Sequence, residues 1–165
     1  MDEETVLWEG SPSQILNLHV FIMCALLAGA FIGAAMLFRD KMSGPTPYIL
    51  GGLALIPVVF AIARYLQLKC RRYQLTSERL RLRTGVLSRR TDEIELYRVK
   101  DYVLHEPFAL RMFGLSNLVL STTDDTNPRI NLQAIHRGES LRDLFRKHVE
   151  ICREKKRVHI TEFEG

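Results

Sequence analysis

Basic residues are almost missing from the first 63 positions of this 165-residue chain. Arg39 and Lys41 stand there against five acids, whereas 21 of the 23 Lys and Arg residues lie from Arg64 onward. So uneven a distribution excludes one uniform globule. Cysteine is scarce and dispersed (Cys24, Cys70, Cys152), with no CxxC, which argues against a disulfide framework or a zinc site and suits a reducing compartment. A Gly-rich phosphate loop, GxSxG and HExxH are all missing. The five histidines (19, 105, 136, 148 and 159) are scattered, and Asp92, Glu93 and Glu95 fall where a strand shows its polar face. No catalytic residue, metal ligand or cofactor is expected.

Long charge-free runs are present instead. Ile15–Phe38, "ILNLHVFIMCALLAGAFIGAAMLF", holds 24 residues without a formal charge. About 20 apolar residues at a rise of about 1.5 Å cross a hydrocarbon core of about 30 Å. A second run, Tyr48–Leu68, is uncharged for 16 residues before Arg64, whose guanidinium can snorkel to the headgroups. The expectation is a transmembrane helical hairpin over 15–68, with spans at about 15–38 and 48–66. Gly29 and Gly33 are candidate span-packing positions, either against Gly51 and Gly52 or against a neighbouring helix. A cleaved signal peptide is disfavoured by the acidic start and the length of the first run. Lys and Arg crowd the end of the second span, so the positive-inside rule places both termini in the cytoplasm and the connector outside.

The rest alternates with period two. In "RLRLRTGVL", Leu80 and Leu82 point one way and Arg79, Arg81 and Arg83 the other, followed by a turn at Thr84-Gly85. The next strand is expected over Val86–Leu96, and more over Arg98–Glu106, Asn117–Thr123 and Arg129–Ile135. "FALRMF", bracketed by Pro107 and Gly114, reads as one helical turn. Leu141, Leu144, Phe145, His148, Val149 and Cys152 then form the stripe of an amphipathic helix. Domain limits follow: a cytoplasmic arm at 1–14, the hairpin, a domain over 69–157 and a tail at 158–165.

Lys69–Arg90 is the most basic stretch. Arg64, Lys69, Arg71 and Arg72 lie beside the bilayer and are expected to touch its surface. Anionic headgroups attract such residues by about 1 kcal/mol each. Arg79, Arg81 and Arg83 are either a face for an anionic ligand or the wet side of a strand. Nucleic acid is excluded as a partner, because the segment begins within a few residues of lipid.

"YQLTSERLRLRTGVL" (Tyr73–Leu87), "IELYRVKDYVL" (Ile94–Leu104) and "LRMFGLSNLVLSTT" (Leu110–Thr123), with "ETVLWEGSPS" ahead of two spans, resemble the membrane-anchored bacterial proteins with a pleckstrin-homology-like domain. The resemblance implies an α+β fold: a membrane hairpin followed by a PH-like split β-barrel capped by the C-terminal amphipathic helix. It also implies a non-enzymatic scaffold or binding module at the cytoplasmic face of a bacterial inner membrane. Its partners would be anionic lipid and a second copy or another membrane protein. Two alternatives stand beside it: an accessory subunit of a transport or secretion complex, suggested by Asn17 and His19 in the first span, and a membrane-tethered hydrolase, which would have to assemble Asp101, His105 and Asp124.

Overall fold

The computed structural model describes residues 4–39, 45–124 and 126–163. Most of the connector between the spans, Asp125 and the last two positions of the tail lie outside the described residues. The chain forms two compact units: Gln14–Leu68, and Met1–Ser13 together with Lys69–Gly165.

The first unit is helical. A 3-10 turn at Gln14–Asn17 leads into α1 (Leu18–Leu37), and the second apolar run forms α2 (Thr46–Leu53) and α3 (Leu55–Lys69). The single second span expected at 48–66 is therefore two helices with a break at Ala54. The cause is Pro57, which has no N–H to offer the Leu53 carbonyl one turn back. Two helical segments, Gln14–Leu37 and Tyr48–Lys69, are long and apolar enough to cross a membrane. Ile22, Met23 and Leu26 on α1, like Ile56, Val59 and Phe60 on α3, are more than half exposed. Core helices of a water-soluble protein would bury such side chains.

The second unit holds seven strands in two antiparallel sheets. One sheet has the order β1 (Val6–Gly10), β2 (Arg72–Thr76), β3 (Arg79–Thr84), β4 (Arg90–Glu95). The other has the order β5 (Val99–His105), β6 (Leu115–Thr122), β7 (Arg129–His136). A short helix, α4 (Phe108–Arg111), joins β5 to β6, and the chain ends in the long α5 (Gly138–Phe163). The strand expected from Val86 starts at Arg90, since Gly85, at φ +110°, opens a longer connection. The segment expected as a cytoplasmic arm at 1–14 contributes β1, which lines up with β2 from Val6 opposite Thr76 to Gly10 opposite Tyr73. The sheet is thus built from chain on both sides of the helical unit.

Alternating leucines close the core. Leu75, Leu80 and Ile94 from the first sheet, Leu96 from the 3-10 turn that follows it, and Leu118, Leu120, Leu132 and Ile135 from the second sheet are buried with Leu141, Phe145 and Val149 of α5. Trp8 packs against this cluster from β1. A β-bulge breaks the β6–β7 ladder between Ser116 and Leu118. There Ala134 takes φ +46°, its N–H donates to Asn117 Oδ1 at 2.8 Å, and its carbonyl accepts the Ser13 N–H at 3.1 Å. The exit of the N-terminal segment is thereby tied to β7.

Two outcomes follow. A side chain at Gly10 would overlap the Trp8 indole, so Gly10→Val is expected to red-shift the emission of this lone tryptophan and to lower the unfolding temperature. Burial, with Lys147 as a lesser cause, pushes the His148 imidazole below its ordinary pKa. The unfolded chain then binds the proton more readily, so stability present above about pH 6.5 is lost as pH falls through the folded pKa. His148→Gln should flatten that part of the pH dependence in thermal unfolding.

Candidate functional site

The points at which the chain leaves and re-enters the β unit are Ser13 and Lys69, and they define one end of it. β2 begins at Arg72, and the ladder sets Arg72 directly opposite Arg83 at the end of β3. Like charges facing each other across a ladder destabilise it, and neither arginine has an acidic partner among the described residues. Lys69, Arg72 and Arg83 line a hollow of about 390 Å³ together with Tyr73, Gly10 and Ser11. Glu9 also lines it, and Gln74 Nε2 donates to its carboxylate at 2.8 Å. Arg72 and Arg83, facing each other without an acidic partner among the described residues, make this an opening suited to an oxyanion.

The structure separates the three strand arginines. Arg79 Nη1 lies 3.3 Å from Glu93 Oε2; Arg81 reaches Glu93 Oε1 at 3.1 Å and Glu4 Oε2 at 3.0 Å. These two are charge-matched in place, and only Arg83 opens into the hollow. The juxtamembrane cations also divide. Arg71 turns inward, donating to Gln133 Oε1 at 3.4 Å, and lies beside the Tyr73 hydroxyl, whose pKa burial pushes up. Arg64 lies on α3 with an exposed side chain.

Beside the hollow, Gly85–Arg89 joins β3 to β4 and carries Val86 and a fully exposed Leu87. Sequence reasoning placed both in a strand. Their signal, an apolar pair between a glycine and the arginines 89 and 90, was readable as an exposed tip. Phe108, Met112 and Phe113 around α4 are also exposed. The register Leu115 opposite His136, with the bonds of Ser13 to Ala134 and Arg71 to Gln133, sets them near the same end.

In the helical unit, Asn17 is buried, and its amide donates to the Arg64 carbonyl at 3.1 Å and to Gln14 Oε1 at 3.2 Å; Gln14 Nε2 donates to the Tyr65 carbonyl at 3.2 Å. Asn17 therefore clasps α1 to α3, while His19 is exposed on α1. At Gly29, Gly33, Gly51 and Gly52 an added methyl meets nothing within 4 Å among the described residues. The hydrolase candidates are also dispersed. Asp124 pairs with Arg98 at 3.6 Å, Asp101 accepts the Tyr102 N–H, and His105 stands opposite Asn117 in the ladder. No group of three metal-ligating side chains occurs among the described residues.

The family model described as "Bacterial PH domain" matches residues 15–149. The chain belongs to that family, whose members carry a PH-like binding or scaffold module. Comparison with curated proteins returned no match, and comparison with solved structures returned none. The match begins after β1, so the strand that completes the first sheet precedes the matched segment.

Replacing Asn17 with Leu removes the clasp, and the expected cost is about 0.5–1.5 kcal/mol, in line with hydrogen bonds between helices in membranes. Unfolding of the full chain in mixed micelles measures it.

Proposed function

We propose that this protein is a non-enzymatic, membrane-anchored scaffold whose PH-like unit rests, by the end bearing Ser13 and Lys69, on the cytoplasmic leaflet of a bacterial inner membrane. One observation carries the reading: β1 precedes the two apolar helices and β2 follows them, yet they form one ladder. Both flanks must then occupy one compartment, as an even number of crossings requires. The positive-inside rule selects the cytoplasm.

Chain length supplies the second support. Arg72 lies three residues beyond Lys69, so at about 3.5 Å per residue it stays within about 10 Å of the helix end. The cations of the hollow then meet lipid phosphates, each adding about 1 kcal/mol. Such anions also relieve the facing Arg72 and Arg83. Leu87 and Val86 enter the interface between the arginines. The far end, where Cys152 Sγ donates to the Ser77 carbonyl and Lys155 pairs with Glu78 at 3.2 Å, is left for a second copy or another membrane protein.

The test places a fluorophore on Leu87→Cys, or on Glu78→Cys as the distal control, in full-length protein in liposomes containing spin-labelled lipid. Quenching at 87 and not at 78 is expected. Equal exposure of both to aqueous quencher overturns the reading.

A further inference from the structure

Large apolar side chains are exposed on the β unit mainly at two tips. Of the eight so exposed among the described residues, Val86 and Leu87 lie between β3 and β4, and Phe108, Met112 and Phe113 lie on and just after α4. The other three, Val6, Val103 and Ile151, stand singly on different elements. Phe108 is 80% and Met112 70% exposed, while Leu110 between them is buried and holds the turn to the unit. Such a cluster marks a surface for a protein or a membrane. The backbone favours the membrane. The N–H groups of Leu110, Arg111, Met112, Phe113 and Gly114 all donate to carbonyls within Pro107–Arg111, at 2.9–3.1 Å. Pro107 has no N–H to leave unpaired. Hydrocarbon offers no water to replace a missing bond, so a projecting turn with its donors already spent is the form that can enter it.

The second sheet sets the place of this turn. The Ala134 N–H donates to Asn117 Oδ1 at 2.8 Å, and its carbonyl accepts the Ser13 N–H at 3.1 Å. Phe113 is four residues before Asn117, so at about 3.5 Å per residue it lies within about 14 Å of it. Ser13 is followed at once by the apolar segment Gln14–Leu37, long enough to cross a membrane. The turn therefore stands near the point where the chain leaves for its first apolar helix. Charge gives it no pull of its own. Glu106 and Arg111 flank the turn, and Arg137 and Glu139 line the hollow beside them. Two cations against two carboxylates offer no net attraction to an anionic surface, so what α4 presents is apolar area. In this it differs from the Lys69–Arg72–Arg83 hollow, and hydrocarbon suits it better than headgroups.

We propose that Phe108, Met112 and Phe113 form a wedge seated in the acyl region of the cytoplasmic leaflet, a second point of contact that fixes the tilt of the PH-like unit on the membrane. The inference rests on the reading above that this end of the unit faces the bilayer. Val86 and Leu87 project from the first sheet and the wedge from the second, and two contacts restrain a rotation that one would leave free. The apolar helices already anchor the chain, so seating the wedge is an intramolecular step with no further loss of translational freedom. Each ring moved from water into hydrocarbon then favours the seated state by about tenfold or more.

The full-length chain, with Cys24, Cys70 and Cys152 replaced by Ala and a fluorophore on Met112→Cys, is reconstituted in liposomes whose lipids carry a nitroxide either at the headgroup or midway along the acyl chain. The acyl-chain nitroxide is expected to quench position 112 at least as strongly as the headgroup one. High salt should leave that quenching unchanged, since no net charge drives it. Phe108→Ser with Phe113→Ser should lower the ratio of seated to free turn by about a hundredfold, read as loss of acyl-chain quenching. Both side chains are already exposed, so the double variant should keep its unfolding temperature in micelles. A merely structural pair would lower that temperature and leave the depth of the probe alone. Free access of an aqueous quencher to 112, quenching by the headgroup nitroxide alone, or shielding that disappears as protein is diluted in lipid (the mark of a second copy) would each overturn the proposal. The Leu87 fluorophore separates the two ideas. Shielding at 87 with 112 in water removes the wedge and leaves the bilayer-facing reading intact; 112 among the acyl chains with 87 as exposed as 78 keeps the wedge and removes the contact through the arginine-lined hollow.

Discussion

The β1–β2 ladder is the constraint on which the remaining architecture depends. Four residues ahead of the apolar helices pair with four residues behind them, so the backbone closes a loop that contains the whole helical unit. Closing a loop this long costs entropy that grows only slowly with length. The ladder and the packing of Trp8 on the core offset it. Once made, it brings the exit at Ser13 and the entry at Lys69 to one end of the sheet, and the Ser13–Ala134 bond extends that tie to β7.

Charge follows from this closure. Along β3 the arginines repeat with period two, yet the register gives them different fates. Glu93 from β4 and Glu4 from the N-terminal segment neutralise Arg79 and Arg81. Arg83, one step nearer the entry, meets Arg72 instead. An acid delivered from either neighbour decides between a paired face and a site with unspent charge. The positive potential therefore concentrates at the end from which the chain departs for the apolar helices.

Polar groups in the two units serve different ends. Asn17 spends its amide on the Arg64 carbonyl, within apolar surroundings where an unpaired amide would be costly. The bond makes Asn17 a fastener between the two helical segments. Ser116 is the reverse: it is equally hidden, beneath Gly138, but its hydroxyl has no hydrogen-bond partner among the described residues.

Local pattern was enough for much of this. Two apolar runs, the leucine–arginine alternation of β3, the turn between Pro107 and Gly114, and the Leu141–Phe145–Val149 stripe of α5 are periodicities within one segment, and each appears where the sequence put it. Partners across the chain were a different matter. Nothing in "VLWEG" shows that it pairs with a strand more than sixty residues away. Neither does the order of residues show that Glu4 reaches Arg81, that Val86 and Leu87 sit on a loop, or that Gly138 covers Ser116. Those facts depend on register and long-range closure, which are energies of the assembled core and not of any single stretch. The sequence by itself determined the two apolar runs and most of the strands and helices that follow them. Only the tertiary structure decided which charges are matched and which are left unmatched, because that depends on what stands across the sheet.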